Sequence, residues 1–221
     1  MIHVNRKTGV LRVAAVAAVM LLATGCASVQ YSALEKVGIH KRDILVDRVE
    51  DARDSQNDTR ENVVSAYEEL TALIGHDGGE LEDKYERLSK QVERSRDSTD
   101  ELDERLEAID RVSEDLFEEW ESELDLYSSQ ALKADQTRKL AQARSQFATL
   151  RRRMQTARDR VDPVMAVLED NVLFLKHSLN AKALDALRGQ AATLEGEVES
   201  LIRDMQAAID EADAYIARMR G

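Results

Sequence analysis

From residue 41 onward, apolar residues recur at alternating spacings of four and three along nearly the whole chain. Only a helix gathers residues so spaced onto one face. Four such runs are present, over about 41–74, 80–127, 130–178 and 180–218, and 36 of their 41 register positions are apolar. A period of 3.5 residues implies left-handed supercoiling, with helices crossing near 20°. Composition agrees with this reading. Aromatic residues make up 4% of the chain and Pro163 is its one proline, whereas strands favour aromatic and β-branched residues and loops favour proline and glycine. The expected fold is all-α: an elongated antiparallel four-helix bundle or coiled coil, since short connections force neighbouring helices to run in opposite directions.

Local signals mark the joints. Gly75-His76-Asp77-Gly78-Gly79 reads as a turn and Tyr127-Ser128-Ser129 as a break. Asn180 reads as the N-cap of the last helix. Asp162-Pro163 falls inside the third run. Proline costs about 3 kcal/mol in a helix interior, but the apolar register passes through it, so a kink is expected rather than an end. After Leu168 the stripe reads Val172, Leu175, Leu179, a stutter. Ile202, Ile209 and Ile216 are expected to widen the last stripe. The second and third helices are the longest, about 48 residues or ~70 Å each at 1.5 Å per residue. Their far ends, about 115–146, are therefore expected to project as a two-helix tip whose residues contact only each other. The tip holds Phe117, Trp120 and Tyr127, a large share of the aromatics and candidates for binding a partner.

The N-terminus has a different character. Arg6, Lys7 and Arg12 precede Val13–Ala23, an uncharged apolar run of 11 residues. That is too short to span a bilayer, which takes about 20, and it has the pattern of a secretory signal. The run ends in Leu22-Ala23-Thr24-Gly25-Cys26, which resembles a bacterial lipobox. Residues 1–25 then form a lipoprotein signal peptide and Cys26 is the lipidation site. Residues 26–40 form a tether, with a short helix over 29–38 capped by Gly38, and 41–221 form one helical domain. Stable anchoring needs more than one acyl chain, and Cys26 is the only cysteine, so its thiol goes to lipid rather than to a disulfide. Ala27 in place of Asp points to an outer-membrane anchor facing the periplasm.

Charge narrows the partners. The chain carries 31 basic and 43 acidic residues, a net charge of −12. Residues 1–25 hold three of the bases and none of the acids, so their removal takes the net charge to −15. Such a surface repels nucleic acid. The run from Lys41 to Asp54 mixes Arg42, Arg48 and Arg53 with acids and reads either as a salt-bridged solvated face or as a surface for a partner.

Four polar residues interrupt the apolar register. Gln56 and Thr59 lie about as far before the glycine turn as Ser95 and Thr99 lie after it. The four are expected to meet as one polar layer that fixes register at some cost in stability.

No phosphate-binding glycine loop, zinc-protease motif, nucleophile elbow or di-iron Glu-x-x-His pair is found. No catalytic residue and no cofactor is assigned. His76, Asp77 and His177, brought to one end by the antiparallel path, are the weak metal or pH-sensing candidates. The leading expectation is a non-enzymatic envelope scaffold, spacer or assembly factor with a protein partner. The alternative is a module that binds an envelope ligand or a metal at the His76/His177 end. The oligomeric state is left open by the pattern.

Several blocks resemble an uncharacterised family of bacterial secreted or lipid-anchored helical proteins known only as a domain of unknown function. They are residues 40–53 (HKRDILVDRVEDAR), 77–81 (DGGEL), 116–121 (LFEEWE) and 172–181 (VLFLKHSLNA). The resemblance spans about 31–216 and implies one domain over that range. It brings no activity, ligand or catalytic residue.

Overall fold

The structure, a computed structural model, describes residues 26–75 and 81–220, with side chains from Lys41 onward. Every regular element among them is helical. They are α1 (Cys26–Ile74), α2 (Leu81–Glu123), a 3₁₀ turn (Leu124–Leu126), α3 (Gln130–Asp159), α4 (Val161–His177) and α5 (Ala181–Arg220). The chain divides into two units, Met1–Lys41 and Arg42–Gly221. The second holds the packed core.

The four-three repeat decides what is buried. On α1, Leu45, Val49, Ala52, Val63, Ala66, Leu70 and Leu73 are all fully buried. The stripe continues through Leu88, Leu102, Leu106 and Ile109 on α2, through Leu150 and Met154 on α3, and through Leu201, Met205 and Ala208 on α5. Each helix thus places one stripe in a shared cluster and leaves charged faces to solvent, as an amphipathic helix must.

Hydrogen bonds and ion pairs record which helix lies beside which. Between α1 and α2, Lys84 donates to the carbonyl of Ala72 at 3.1 Å, Gln91 to that of Asn62 at 3.2 Å and Thr59 to that of Ser98 at 2.9 Å. Partner numbers fall on one helix as they rise on the other. Between α2 and α3 the same ladder runs through Arg144–Glu121 at 2.7 Å, Arg151–Asp110 at 2.8 Å and Arg158–Asp103, and it reaches α4 through Arg96–Glu169. Arg160–Asp204 at 2.9 Å joins the end of α3 to α5, and Arg60–Gln206, Arg53–Asp213 and Arg220–Glu50 join α5 to α1. Exposed pairs of this kind contribute about 0–1 kcal/mol each. Their effect is to favour one set of neighbours over another.

Three joints follow the sequence. Ser129 caps α3, its hydroxyl oxygen accepting from the Leu132 N–H. Asn180 caps α5, its Oδ1 accepting from Ala183 N–H at 3.1 Å while its carbonyl accepts from Leu184 N–H. The long third run is interrupted for the single residue Arg160, three residues before Pro163. Proline has no N–H to donate to the carbonyl of Asp159, and Arg160 N–H bonds back only three residues, to Ala157. Ala157, Val161, Val164 and Leu168 stay fully buried across the interruption, so the register survives the kink. Asp162 lies in the first turn of α4 and accepts from Arg158.

Five expectations are corrected. Residues 29–38 are not a separate helix ended by Gly38, because α1 is continuous from Cys26 to Ile74. One interior glycine costs about 1 kcal/mol, too little to stop a helix of 49 residues. The second helix ends earlier than expected, at Glu123, and tightens into the 3₁₀ turn. No stutter follows Leu168. The spacing runs on through Asn171, 2% exposed, to Leu175, and Val172 is only half-buried. Ile202 does not widen the α5 stripe, since it is exposed, while Ile209 and Ile216 are buried. Finally, residues 115–146 do not contact only each other. The Arg42 guanidinium of α1 lies 6.0 Å from the centroid of the Trp120 ring. Arg42 lies in the first turn of the expected 41–74 helix, so that turn already reaches the level of Trp120.

Tyr215 of α5 is 2% exposed and its ring packs edge-on against Phe147, centroids 6.4 Å apart. Burial disfavours the phenolate, so its pKa is pushed up to about 12. The phenol is neutral in both states below pH 10. Between pH 10 and 12 the unfolded chain loses its proton first, so stability falls as pH rises, by about 2–3 kcal/mol in all. Thermal melts across that window should drop more steeply for the parent chain than for Tyr215→Phe.

Candidate functional site

Two regions concentrate features that packing alone does not require, and the sequence candidates distribute unevenly between them. The first is the connection between α2 and α3. Leu126 and Leu132 are 55% and 58% exposed there, on either side of the break. Each is held by short-range structure. Leu126 ends the 3₁₀ turn, and Leu132 lies in the first turn of α3, beneath its Ser129 cap. Tyr127 between them is half-buried against the core cluster. Phe117, a partner-binding candidate, is buried. It is 8% exposed and packs edge-on against Phe147, centroids 5.8 Å apart, with the Arg144 guanidinium 5.9 Å from its ring centroid. Trp120 is half-buried beneath Arg42. The two exposed leucines were hidden in the sequence because neither belongs to the four-three register.

The arginines of the 41–54 run have partners within the chain. Arg48 bonds Asp51 one turn along its own helix at 2.9 Å. Arg53 is shared between Asp54 at 2.7 Å and Asp213 of α5 at 2.8 Å, and the Asp213 carboxylate, with Asp54 beside it, raises the guanidinium pKa. Arg42 lies over Trp120.

The second region is the end of the helices where α4 passes to α5. His177 is the exposed last residue of α4. His76 and Asp77 lie outside the described residues. Among those described, no group of three His, Cys, Asp or Glu side chains is placed to hold a metal ion. Nearby, a groove of about 620 Å³ separates α4 from α5, with Val167, Asn171 and Phe174 on one side and Leu187, Gly189 and Leu194 on the other. Asn171 is buried, yet its Nδ2 has no hydrogen-bond partner. A buried donor without an acceptor costs about 1–3 kcal/mol. The sequence signal for Asn171 was present, since it lies three residues after Leu168 and four before Leu175. Its polarity diverted the reading to Val172.

Gln56, Thr59, Ser95 and Thr99 are all buried, at 0%, 0%, 0% and 6% exposure. The Thr59 hydroxyl lies within reach of two carbonyls, Ser55 on its own helix at 2.8 Å and Ser98 on α2 at 2.9 Å. Ser95 and Thr99 bond back to carbonyls one turn earlier, those of Gln91 and Ser95. Gln56 turns elsewhere. Its Nε2 donates across to the Met154 carbonyl of α3 at 3.1 Å, and its Oε1 is unpartnered. If these four hold the helices in register, apolar residues at all four positions should raise the thermal midpoint or change the oligomeric state. Calorimetry and sedimentation read both; a lower midpoint with an unchanged state refutes the layer.

Cys26 is the first residue of α1. No helix among the described residues is long and apolar enough to cross a membrane.

The helices, their buried stripe and the absence of any strand among the described residues define an all-α protein. The chain belongs to the family described as protein of unknown function, DUF2959, whose model matches residues 30–219. No curated protein and no solved structure matches it.

Proposed function

We propose that this is a non-enzymatic, lipid-anchored protein of the bacterial envelope, held at the periplasmic face of the outer membrane through Cys26. In this reading it acts as a scaffold, spacer or assembly factor. Its helices form an elongated antiparallel four-helix bundle, and the hairpin beyond Trp120 projects from it as a two-helix tip that engages a protein partner. The observation that carries the reading is the exposed leucine pair at the α2–α3 connection, Leu126 and Leu132. Leu173, Phe174 and Ile202 are exposed elsewhere, but only at this connection do two exposed leucines flank a turn, an arrangement that suits a partner's apolar surface.

The lipobox-like run before Cys26 supports the anchor. Cys26→Ser should release the protein from the membrane fraction or leave it as an unlipidated precursor. Unchanged membrane partition with globomycin-insensitive processing would overturn the anchor. For the tip, Leu126→Asp with Leu132→Asp should remove the partner from in-cell crosslinks while circular dichroism and the thermal midpoint stay near the parent's, since both side chains are exposed. Crosslinking that persists at full yield would place the contact surface elsewhere.

A further inference from the structure

The groove between α4 and α5 combines apolar side chains with carboxylates. Val167, Phe174, Ala186, Leu187 and Leu194 give it an apolar lining beside the polar Gln190 and Thr193, and the exposed Gly189 leaves its α5 side low. A Cβ added at Gly189 meets nothing within 4 Å. The lining contains two carboxylates, Asp170 and Glu197, and no cation. Neither carboxylate enters an ion pair among the described residues, although acids elsewhere on these helices commonly do. Asn171, also in the lining, is 2% exposed and its Nδ2 lacks an acceptor.

These features fall in order along the groove. The helices α4 and α5 are joined by the short Ser178–Asn180 link and so run oppositely, with Arg160 already paired to Asp204 at the other end. Val167 and Glu197 therefore belong to the end nearer Pro163 and Phe174 to the end nearer the link, with the neighbours Asp170 and Asn171 midway. A molecule seated here meets Glu197 toward one end, the Phe174 ring toward the other, and Asp170 with the unpaired Asn171 amide in the middle.

We infer that the groove binds an organic cation that has an apolar body and a carbonyl acceptor. The cation lies against Asp170 and Glu197, where no competing positive side chain lines the site. The body lies against Val167 and Phe174, over the buried floor of Leu187 and Leu194, and the volume lies within the range of small-molecule sites. The carbonyl accepts the Asn171 amide proton once the amide turns toward it, satisfying the donor that the protein leaves open. This assignment is independent of the partner-binding tip.

Benzoylcholine carries a permanent positive charge, an ester carbonyl and a phenyl ring, and serves as the probe. Equilibrium dialysis of the full chain against it should show one saturable site. The uncharged analogue 3,3-dimethylbutyl benzoate has nearly the same shape and should bind about fivefold more weakly, as should benzoylcholine to the Asp170→Asn/Glu197→Gln variant. Gly189→Leu fills the groove and should abolish saturable binding. Its thermal midpoint should match or exceed the parent's, because leucine is the better helix former and the added Cβ meets nothing. No saturable binding by the parent chain would overturn the inference. So would undiminished binding by a folded Gly189→Leu chain, or equal binding of the charged and uncharged probes.

Discussion

A helix with one apolar stripe cannot bury that stripe alone, and everything else in this protein depends on that constraint. Isolated helices are marginal in water, and their stability in proteins comes from packing an amphipathic face. Here the stripes of α1, α2, α3, α4 and α5 enter one cluster, in which leucine, valine and alanine predominate over aromatic side chains. Small aliphatic residues at four-three spacing let long helices lie close over many turns. The same economy leaves few large side chains to define the pairing, so other devices must do so.

Two kinds of device are present. Ion pairs cross between helices at intervals: Arg53–Asp213, Arg151–Asp110, Arg158–Asp103, Arg160–Asp204 and Arg220–Glu50. A slip of one turn would move each arginine from its acid, and with an excess of acids it would bring like charges together. Inside the cluster, Thr59 reaches the Ser98 carbonyl and Gln56 that of Met154. These bonds tie α1 to α2 and to α3 at one level. The outer pairs are individually weak, whereas a buried polar group that loses its partner incurs a desolvation penalty. The interior contacts are therefore the stricter test of register.

Much of this arrangement was legible in the sequence because the pattern that predicts a helix is also the pattern that is buried. Leu45 through Leu73 and Leu184 through Tyr215 could be assigned to the core from spacing alone. The polar interruptions Gln56, Thr59, Ser95 and Thr99 were visible because apolar neighbours framed them. Asn171 was framed in the same way and was still passed over, since Val172 beside it offered an apolar substitute. Gly38 looked like an end because glycine often caps, but a cap also needs the flanking sequence to stop favouring helix, and here it does not. The burial of Phe117 was not legible, because its depth depends on where Phe147 falls on a different helix, and spacing within one helix carries no such information. Leu126, Leu132 and the α4–α5 groove were invisible for a related reason. Exposure and concavity arise from how helices end and diverge, not from the period along them.

The placement of Trp120 gives the protein a built-in optical gauge. It is the only tryptophan, half-buried on α2, and a guanidinium carried by α1 lies over its ring. A positive charge near an indole shifts its emission, and so does admission of water. Indole emission, excited apart from the five tyrosines, therefore reads one place, where α1 near Arg42 lies against α2. It does so without a label, and no second indole blurs the signal.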